Sequence, residues 1–359
     1  MERHSCDRSV GRGVACETEV GRLAGMYRIF PKLNSIWIFI IIVRQAASPL
    51  VVMLIEEGEM RSDFPALFGI LCLSASCSAM AAVQVSGVLD ATQLSTVWPA
   101  SEMAKLSRDS QTHAMATGNS NILTPAADIN GYAEVSRPYS QVPASKSIGR
   151  LFFRRQNGER GSCSASVVHA PQHDLLLTAG HCVRSGLPSQ WNKDFAFVPA
   201  YDGSAVAPSP LGVWPGIQVA ALDDGSQPGL DVAAIKVQGG IEEKTGGLSL
   251  VFKERPLENT FTGYLVGYPN SGYDGKSMLR CLGRWTVQPI VNGQFVSSNC
   301  GPKGGNSGGP ILLQENGDWQ AKVLGIVTDG SKSNKVLNAG GVPVSIEQWD
   351  LLAQALHHR

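Results

Sequence analysis

One serine stands among glycines in Gly304-Gly305-Asn306-Ser307-Gly308-Gly309-Pro310. Such a segment can present a side-chain hydroxyl and expose backbone N–H groups. A serine hydroxyl is a poor nucleophile at neutral pH. It needs a base beside it and a pair of donors for the oxyanion that forms on attack. A candidate base lies upstream in Leu177-Thr178-Ala179-Gly180-His181-Cys182, and a candidate acid lies between them in Leu230-Asp231-Val232-Ala233-Ala234-Ile235. Acyl transfer is the chemistry such a trio performs: Ser307 attacks, His181 takes and returns its proton, and Asp231 holds the imidazole in the useful tautomer. The amides of Gly305 and Ser307 are the candidate oxyanion donors. Each segment has a plainer interpretation: a buried structural histidine, a turn aspartate, a glycine-rich turn. Asp223 and Asp224 are rivals for the acid. Asp231 is favoured because it leads straight into an apolar strand that would bury its carboxylate beside His181. His169 and His173 fall in a loop-like His-Ala-Pro-Gln-His run and are expected at the surface.

The elements that must hold these residues are short. Apolar runs recur at Leu175–Thr178, Phe195–Val198, Val232–Val237, Tyr264–Val266, Trp285–Val291, Pro310–Leu313 and Val323–Val327, with Gly, Pro, Asn and Asp between them. With 39 glycines and few aromatics, the chain has the pattern of an all-β protein, a barrel or a sandwich. One helix is expected, over residues 345–357. Ser345 and Gln348 make a capping box, Val344 and Trp349 a hydrophobic staple, and Trp349, Leu352 and Leu356 one apolar face. It is expected to pack on the second half of the β region, with His357 and His358 solvated.

These motifs resemble the trypsin/chymotrypsin-like serine peptidase family, in particular its bacterial secreted branch, which includes the glutamyl endopeptidases. The order His, Asp, Ser is that of chymotrypsin-type enzymes. Cys163-Ser164-Ala165-Ser166-Val167-Val168, Phe197-Val198-Pro199-Ala200-Tyr201 and Gly267-Tyr268-Pro269 extend the likeness over roughly residues 146–345. The resemblance implies two antiparallel β-barrels of chymotrypsin type with a C-terminal helix, in a domain at 146–359. Barrel one would cover about 146–245, with His181 and Asp231. Barrel two would cover about 255–345, with Ser307, and the site would lie in the cleft between them.

The resemblance also exposes departures. Animal digestive enzymes carry an aspartate before the serine, which pairs with a new N-terminus on activation. Asn306 is neutral and cannot form that ion pair, so that switch is expected to be absent. The specificity pocket would be lined by Gly301, Pro302, Thr328, Asp329 and Gly330. Gly301 stands where trypsin-like enzymes have an aspartate, and the histidine that glutamyl endopeptidases place on the later strand is missing. No preferred substrate side chain is therefore named. A catalytically silent peptidase-like binding protein and an esterase using the same triad remain the alternatives.

Composition narrows the setting. The 359 residues carry 30 basic and 30 acidic side chains, which gives no basic surface for nucleic acid or membrane. Four of the eight cysteines, Cys163, Cys182, Cys281 and Cys300, lie in the peptidase-like region and allow three pairings. Pairing Cys163 with Cys182, as the family does, and Cys281 with Cys300 is the preferred arrangement. Disulfides imply an oxidising compartment. A metal site is not favoured, because no Cys-x-x-Cys occurs and His181 is better used as a base. No cofactor is expected.

Residues 60–81 have the pattern of a signal peptide: Met60-Arg61, an apolar run Leu67–Leu73, then Ala79-Met80-Ala81. Lipidation at Cys77 is disfavoured by Ser74. Residues 1–59 are expected to be a mis-annotated extension, with a membrane-anchoring segment as the alternative. Residues 82–145, rich in Ser, Ala and Thr, suggest a loosely structured pro-segment or linker. The expected product is a secreted or periplasmic monomer that acts on protein or peptide substrates and has no membrane attachment after processing.

Overall fold

The computed structural model describes residues 83–106, 121–186, 189–223, 226–227, 229–251, 259–288, 294–301, 303–329 and 339–357, and the backbone of four strands nearer the N-terminus. Those four, Val14–Cys16, Ala24–Tyr27, Ile38–Val43 and Val51–Glu56, form an antiparallel sheet in chain order within a separate unit, 1–80. The signal-like stretch 60–81, Asp224, Pro302, Gly330 and His358 lie outside the described residues. Of Asp329, only the backbone is described.

The second unit, 81–359, holds two six-stranded barrels. Around the first run Lys193–Pro199, Ile148–Arg154, Arg160–Val167, Leu175–Thr178, Ala233–Val237 and Trp214–Ala221. Pairing of Phe197 with Trp214 returns the last strand to the first. Around the second run Asp318–Asp329, Pro310–Glu315, Thr260–Gly267, Leu279–Gln288, Gln294–Ser297 and Ala339–Pro343, closed by Val327 against Gly341. The pairing of last strand with first closes each sheet into a barrel.

Leu151, Phe195, Leu177, Val219 and Ile235 fill barrel one, and Leu265, Trp285, Phe295, Ile311 and Leu324 fill barrel two. The Trp285 indole donates to the Gly263 carbonyl at 3.0 Å, which meets its polar need inside the core.

The terminal helix, Ile346–His357, starts as its capping box dictates. The Gln348 amide donates to Ser345 Oγ at 3.1 Å, and the Ser345 amide donates to Gln348 Oε1 at 3.0 Å. Its apolar face of Trp349, Leu352 and Leu356 is buried. The expected partner is corrected, however. The helix packs on barrel one, against Trp214–Ala221 and Ala233–Val237, and not on barrel two. Trp349 Nε1–H donates to the His169 carbonyl at 3.2 Å. An amphipathic stripe shows that a helix has a partner but not which one. His357 is likewise not solvated: its side chain is 10% exposed and Nε2 lies 3.4 Å from Asp174 Oδ1.

The stretch ahead of barrel one is more ordered than its composition suggests. Gln84–Val85 extends the barrel-one sheet by pairing with Ala220 and Ala221. Leu94, Trp98 and Met103 are buried, Leu89, Val97 and Leu106 pack partly buried on the same core, and Trp98 lies against Phe152 at 5.5 Å between ring centroids. Glu102 pairs with Arg160 at 2.9 Å. The Leu106 carbonyl accepts from the buried Arg150 guanidinium at 3.1 Å.

Candidate active site

Strand pairing builds the first half of the site. Ala233 lies opposite Thr178 and Ala234 opposite Leu177, so the residues just before one strand meet the residues just after the other. His181 sits in the short helix Gly180–Val183 after Thr178, and Asp231 sits two residues before Ala233. Asp231 holds His181 twice. Its Oδ1 accepts the His181 backbone N–H at 2.9 Å, and its Oδ2 lies 2.7 Å from His181 Nδ1. The Asp231 side chain is 9% exposed and that of His181 is 35% exposed. A carboxylate so placed fixes the ring's rotation and tautomer while leaving one edge of the imidazole toward solvent. Gly180 permits the approach, since a Cβ there would fall 1.8 Å from the Asp223 carbonyl oxygen. The rival Asp223 is occupied otherwise. It accepts from Ser226 Oγ and, at 2.8 Å, from the Gln227 amide, as a turn residue does.

The Ser307 turn comes from barrel two and is pressed onto barrel one. The Ser307 carbonyl accepts the Ser164 amide at 2.8 Å and lies 3.8 Å from Cys182 Sγ, next in sequence to His181. Gly308 has φ +77°, and a Cβ there would lie 2.1 Å from Thr178 Oγ1 and 2.9 Å from the Ala179 nitrogen. The turn thus abuts the end of the strand that delivers His181. Gly305, at φ +94°, has no room for a side chain either: a Cβ would meet the Tyr268 carbonyl at 2.4 Å. The amides of Gly305 and Ser307 have no hydrogen-bond partner among the described residues, whereas Gly308 donates to Val327 at 2.7 Å and Gly309 to Asn306 at 2.8 Å.

Residues that sequence reasoning did not single out hold this turn. Ser164, fully buried, donates to the Gly305 carbonyl at 2.8 Å and accepts the Tyr268 amide at 2.9 Å. Thr178 Oγ1 donates to the Ser164 carbonyl at 2.9 Å. Tyr132 reaches in from the arm ahead of barrel one and donates to the Gly301 carbonyl at 2.7 Å. The available signal was small polar residues within otherwise apolar strands, and a lone aromatic in a polar arm.

Of the pocket candidates, Gly301 is fixed through both its carbonyl and its amide, which donates to Asn130 at 3.0 Å. Thr328 follows Val327 on the last long strand and is 8% exposed. Cys163 is joined to Cys182 and Cys281 to Cys300, with sulfur separations of 1.99 and 2.05 Å. Cys163, His181 and Cys182 are close enough to share a metal, but both sulfurs are in the disulfide, which leaves one imidazole as a ligand. His169 and His173 are exposed at the surface, yet both touch the buried carboxylate of Glu242, His173 at 3.1 Å.

Residues 163–326 match the model of a family described as trypsin-like peptidase domain. Over these residues the chain resembles that family. A thermostable serine protease from an extremophilic microorganism is similar in fold, at 24% identity and TM-score 0.50, over 59% of this chain and 98% of the other. The protease Anisep from Arthrobacter nicotinovorans is similar at 25% identity and TM-score 0.50, over 58% and 96% of the two chains. A Glu endopeptidase gives 19% identity and TM-score 0.48, over 63% and 96%. No curated protein sequence matches the chain. The matched stretch runs from Cys163, in the first disulfide, into the strand Asp318–Asp329 of barrel two.

Proposed function

We propose that the protein is a secreted serine endopeptidase that hydrolyses peptide bonds through an acyl-enzyme, with Ser307, His181 and Asp231 as its triad. The observation that carries this is the double grip of Asp231 on His181. With Nδ1–H given to the carboxylate, the neutral ring has its lone pair at Nε2, where a general base needs it. Ser307 Oγ attacks the substrate carbonyl carbon while its proton passes to Nε2. The carbonyl oxygen becomes an oxyanion held by the N–H groups of Gly305 and Ser307. Collapse of the intermediate breaks the C–N bond, and Nε2 returns the proton to the departing amine. Water then repeats the sequence on the ester, which releases the acid and restores Ser307.

Gly301 and Thr328 belong to the side-chain pocket in this account, together with Pro302, Asp329 and Gly330. The pocket has no ionised aspartate at 301, so a trypsin-type preference for Arg or Lys is not proposed. The two disulfides are in keeping with an oxidising compartment and with processing at residues 60–81. Among the described residues, no helix is long and apolar enough to cross a membrane.

Digestion of a peptide library tests the proposal. The wild-type protein is expected to cut internal peptide bonds, and Ser307→Ala to lose activity by a factor on the order of 10⁶. Hydrolysis of esters alone would leave an esterase. Peptide binding without turnover would leave a binding module.

A further inference from the structure

We propose that Tyr132 is a positioning residue for the catalytic turn: its buried phenol clamps Gly301 and Asn306 together, so the active form must retain the arm around residues 128–135. The inference rests on the serine-peptidase reading and deepens it.

Three contacts carry the proposal. Tyr132 is 3% exposed. Its O–H donates to the Gly301 carbonyl at 2.7 Å, and its oxygen accepts from Asn306 Nδ2 at 2.7 Å. Asn306 is 1% exposed and sits between the two amides assigned to the oxyanion hole. Its Oδ1 is buried with no partner among the described residues, so Nδ2 to Tyr132 is the polar tie of that side chain. One phenol thereby joins the pocket floor to the oxyanion turn. This is the position at which digestive relatives use a carboxylate and a newly made N-terminal ammonium. Here both members are neutral, and burial pushes the Tyr132 phenol above its ordinary pKa, so the tie persists across the working pH range of a histidine base.

The arm that carries Tyr132 is itself pinned to barrel two. Asp128 Oδ1 accepts the amides of Asn130 at 2.9 Å and Tyr132 at 3.1 Å, and the Asp128 amide donates to the Tyr132 carbonyl at 2.8 Å. Tyr273 stacks edge-on against Tyr132 at 5.5 Å and donates its hydroxyl to Asp128. Gly131 fits against the Asn299 carbonyl and the Cys281 sulfur, where a Cβ would stand 2.5 and 3.0 Å away. Ala133–Glu134 then pairs with Leu279 and Arg280. A removable segment has no need of such a mooring. Removal of a pro-segment from within residues 82–145 is narrowed by this arrangement to the N-terminal side of Asp128.

Tyr132→Phe in the full chain tests the clamp, because it keeps the ring and removes the hydroxyl. The variant should keep its thermal midpoint within a few degrees and its KM within about twofold, while kcat falls about ten- to a hundredfold, as misplaced oxyanion donors would cause. Its affinity for a peptidyl boronic acid should fall with kcat. Amide hydrogen exchange over residues 303–309 should quicken, a readout that needs no turnover. N-terminal sequencing of the processed active form should show a start before Asp128. Unchanged kcat and unchanged exchange in Tyr132→Phe, or an active form that begins after Tyr132, would overturn the proposal. If the wild-type protein proves unreactive at Ser307 while exchange still quickens in the variant, the peptidase reading fails and the clamp stands.

Discussion

Asp231 makes two hydrogen bonds to a single residue, one to backbone and one to ring, and that is more than a turn aspartate requires. Replacing it with asparagine keeps the volume but offers an N–H where the ring needs an acceptor. Asp231→Asn should therefore fold normally and lose about 10⁴ in kcat, a fall that steady-state hydrolysis of a peptide ester would measure. At this scale the sequence is informative because the proposed triad residues sit in local motifs. His181 follows Thr-Ala-Gly, and Ser307 is framed by glycines whose room the fold consumes at 305 and 308. Ser164 lies within a family-like run and Tyr132 in none, and for neither does the local sequence show what its hydroxyl meets. Their importance lies in partners 141 and 174 positions away, Gly305 and Asn306, which only folding reveals.

Single elements show where pattern stops short of placement. The strand Leu175–Thr178 has the bounds its apolar run predicts. The strand Arg160–Val167, which carries Cys163 ahead of the histidine as the resemblance implies, interrupts its apolar pattern with Ser162, Ser164 and Ser166. Ser164 and Ser166 are fully buried there, and Ser164 is spent on the catalytic turn. The terminal helix was legible in extent but not in partner. Between them, the short helix Ile241–Thr245 is tied to the loop after barrel strand Arg160–Val167 through Glu242, which meets His169 and His173 and accepts the Ala170 amide at 3.3 Å. Burial alone would raise the Glu242 pKa, but the hydrogen bonds from His169, His173 and Ala170 prevail and hold it below the ordinary carboxylate value. A depressed carboxylate stabilises the fold above its unfolded pKa, and the contribution is lost as pH falls through the folded value. Glu242→Gln should thus cost about 1 kcal/mol at pH 7. Urea titrations should show the gap between wild type and variant closing as pH drops below about 4, the ordinary carboxylate range.

Two closed barrels, each built on a hydrophobic core, frame the unit 81–359, and the proposed site draws residues from both. The disulfides lie at the two places where rigidity matters to that site. Cys163–Cys182 ties the strand behind the Ser307 turn to the helix of His181, and Cys281–Cys300 fixes the residue before Gly301. Each closes a separation of 19 residues, a loop length worth about 3 kcal/mol in chain entropy. The double variant Cys281→Ser, Cys300→Ser should lose stability of that order in denaturant unfolding, with Gly301 freed on one side. The all-β class was legible from turn spacing, and the two barrels followed from the family resemblance. The docking of residues 83–106 onto barrel one was not legible, because the apolar side chains that anchor it, Leu89, Leu94, Trp98, Met103 and Leu106 among them, follow neither a helix nor a strand period. The claim on which everything rests is that Ser307 is made nucleophilic by His181. The most direct measurement is labelling with an organophosphonate fluorophore, followed by mass-spectrometric mapping of the labelled residue. A single label on Ser307, lost in His181→Ala although that variant remains folded, is the expected result. A folded wild-type protein that takes no label, or takes it elsewhere than Ser307, would contradict the account.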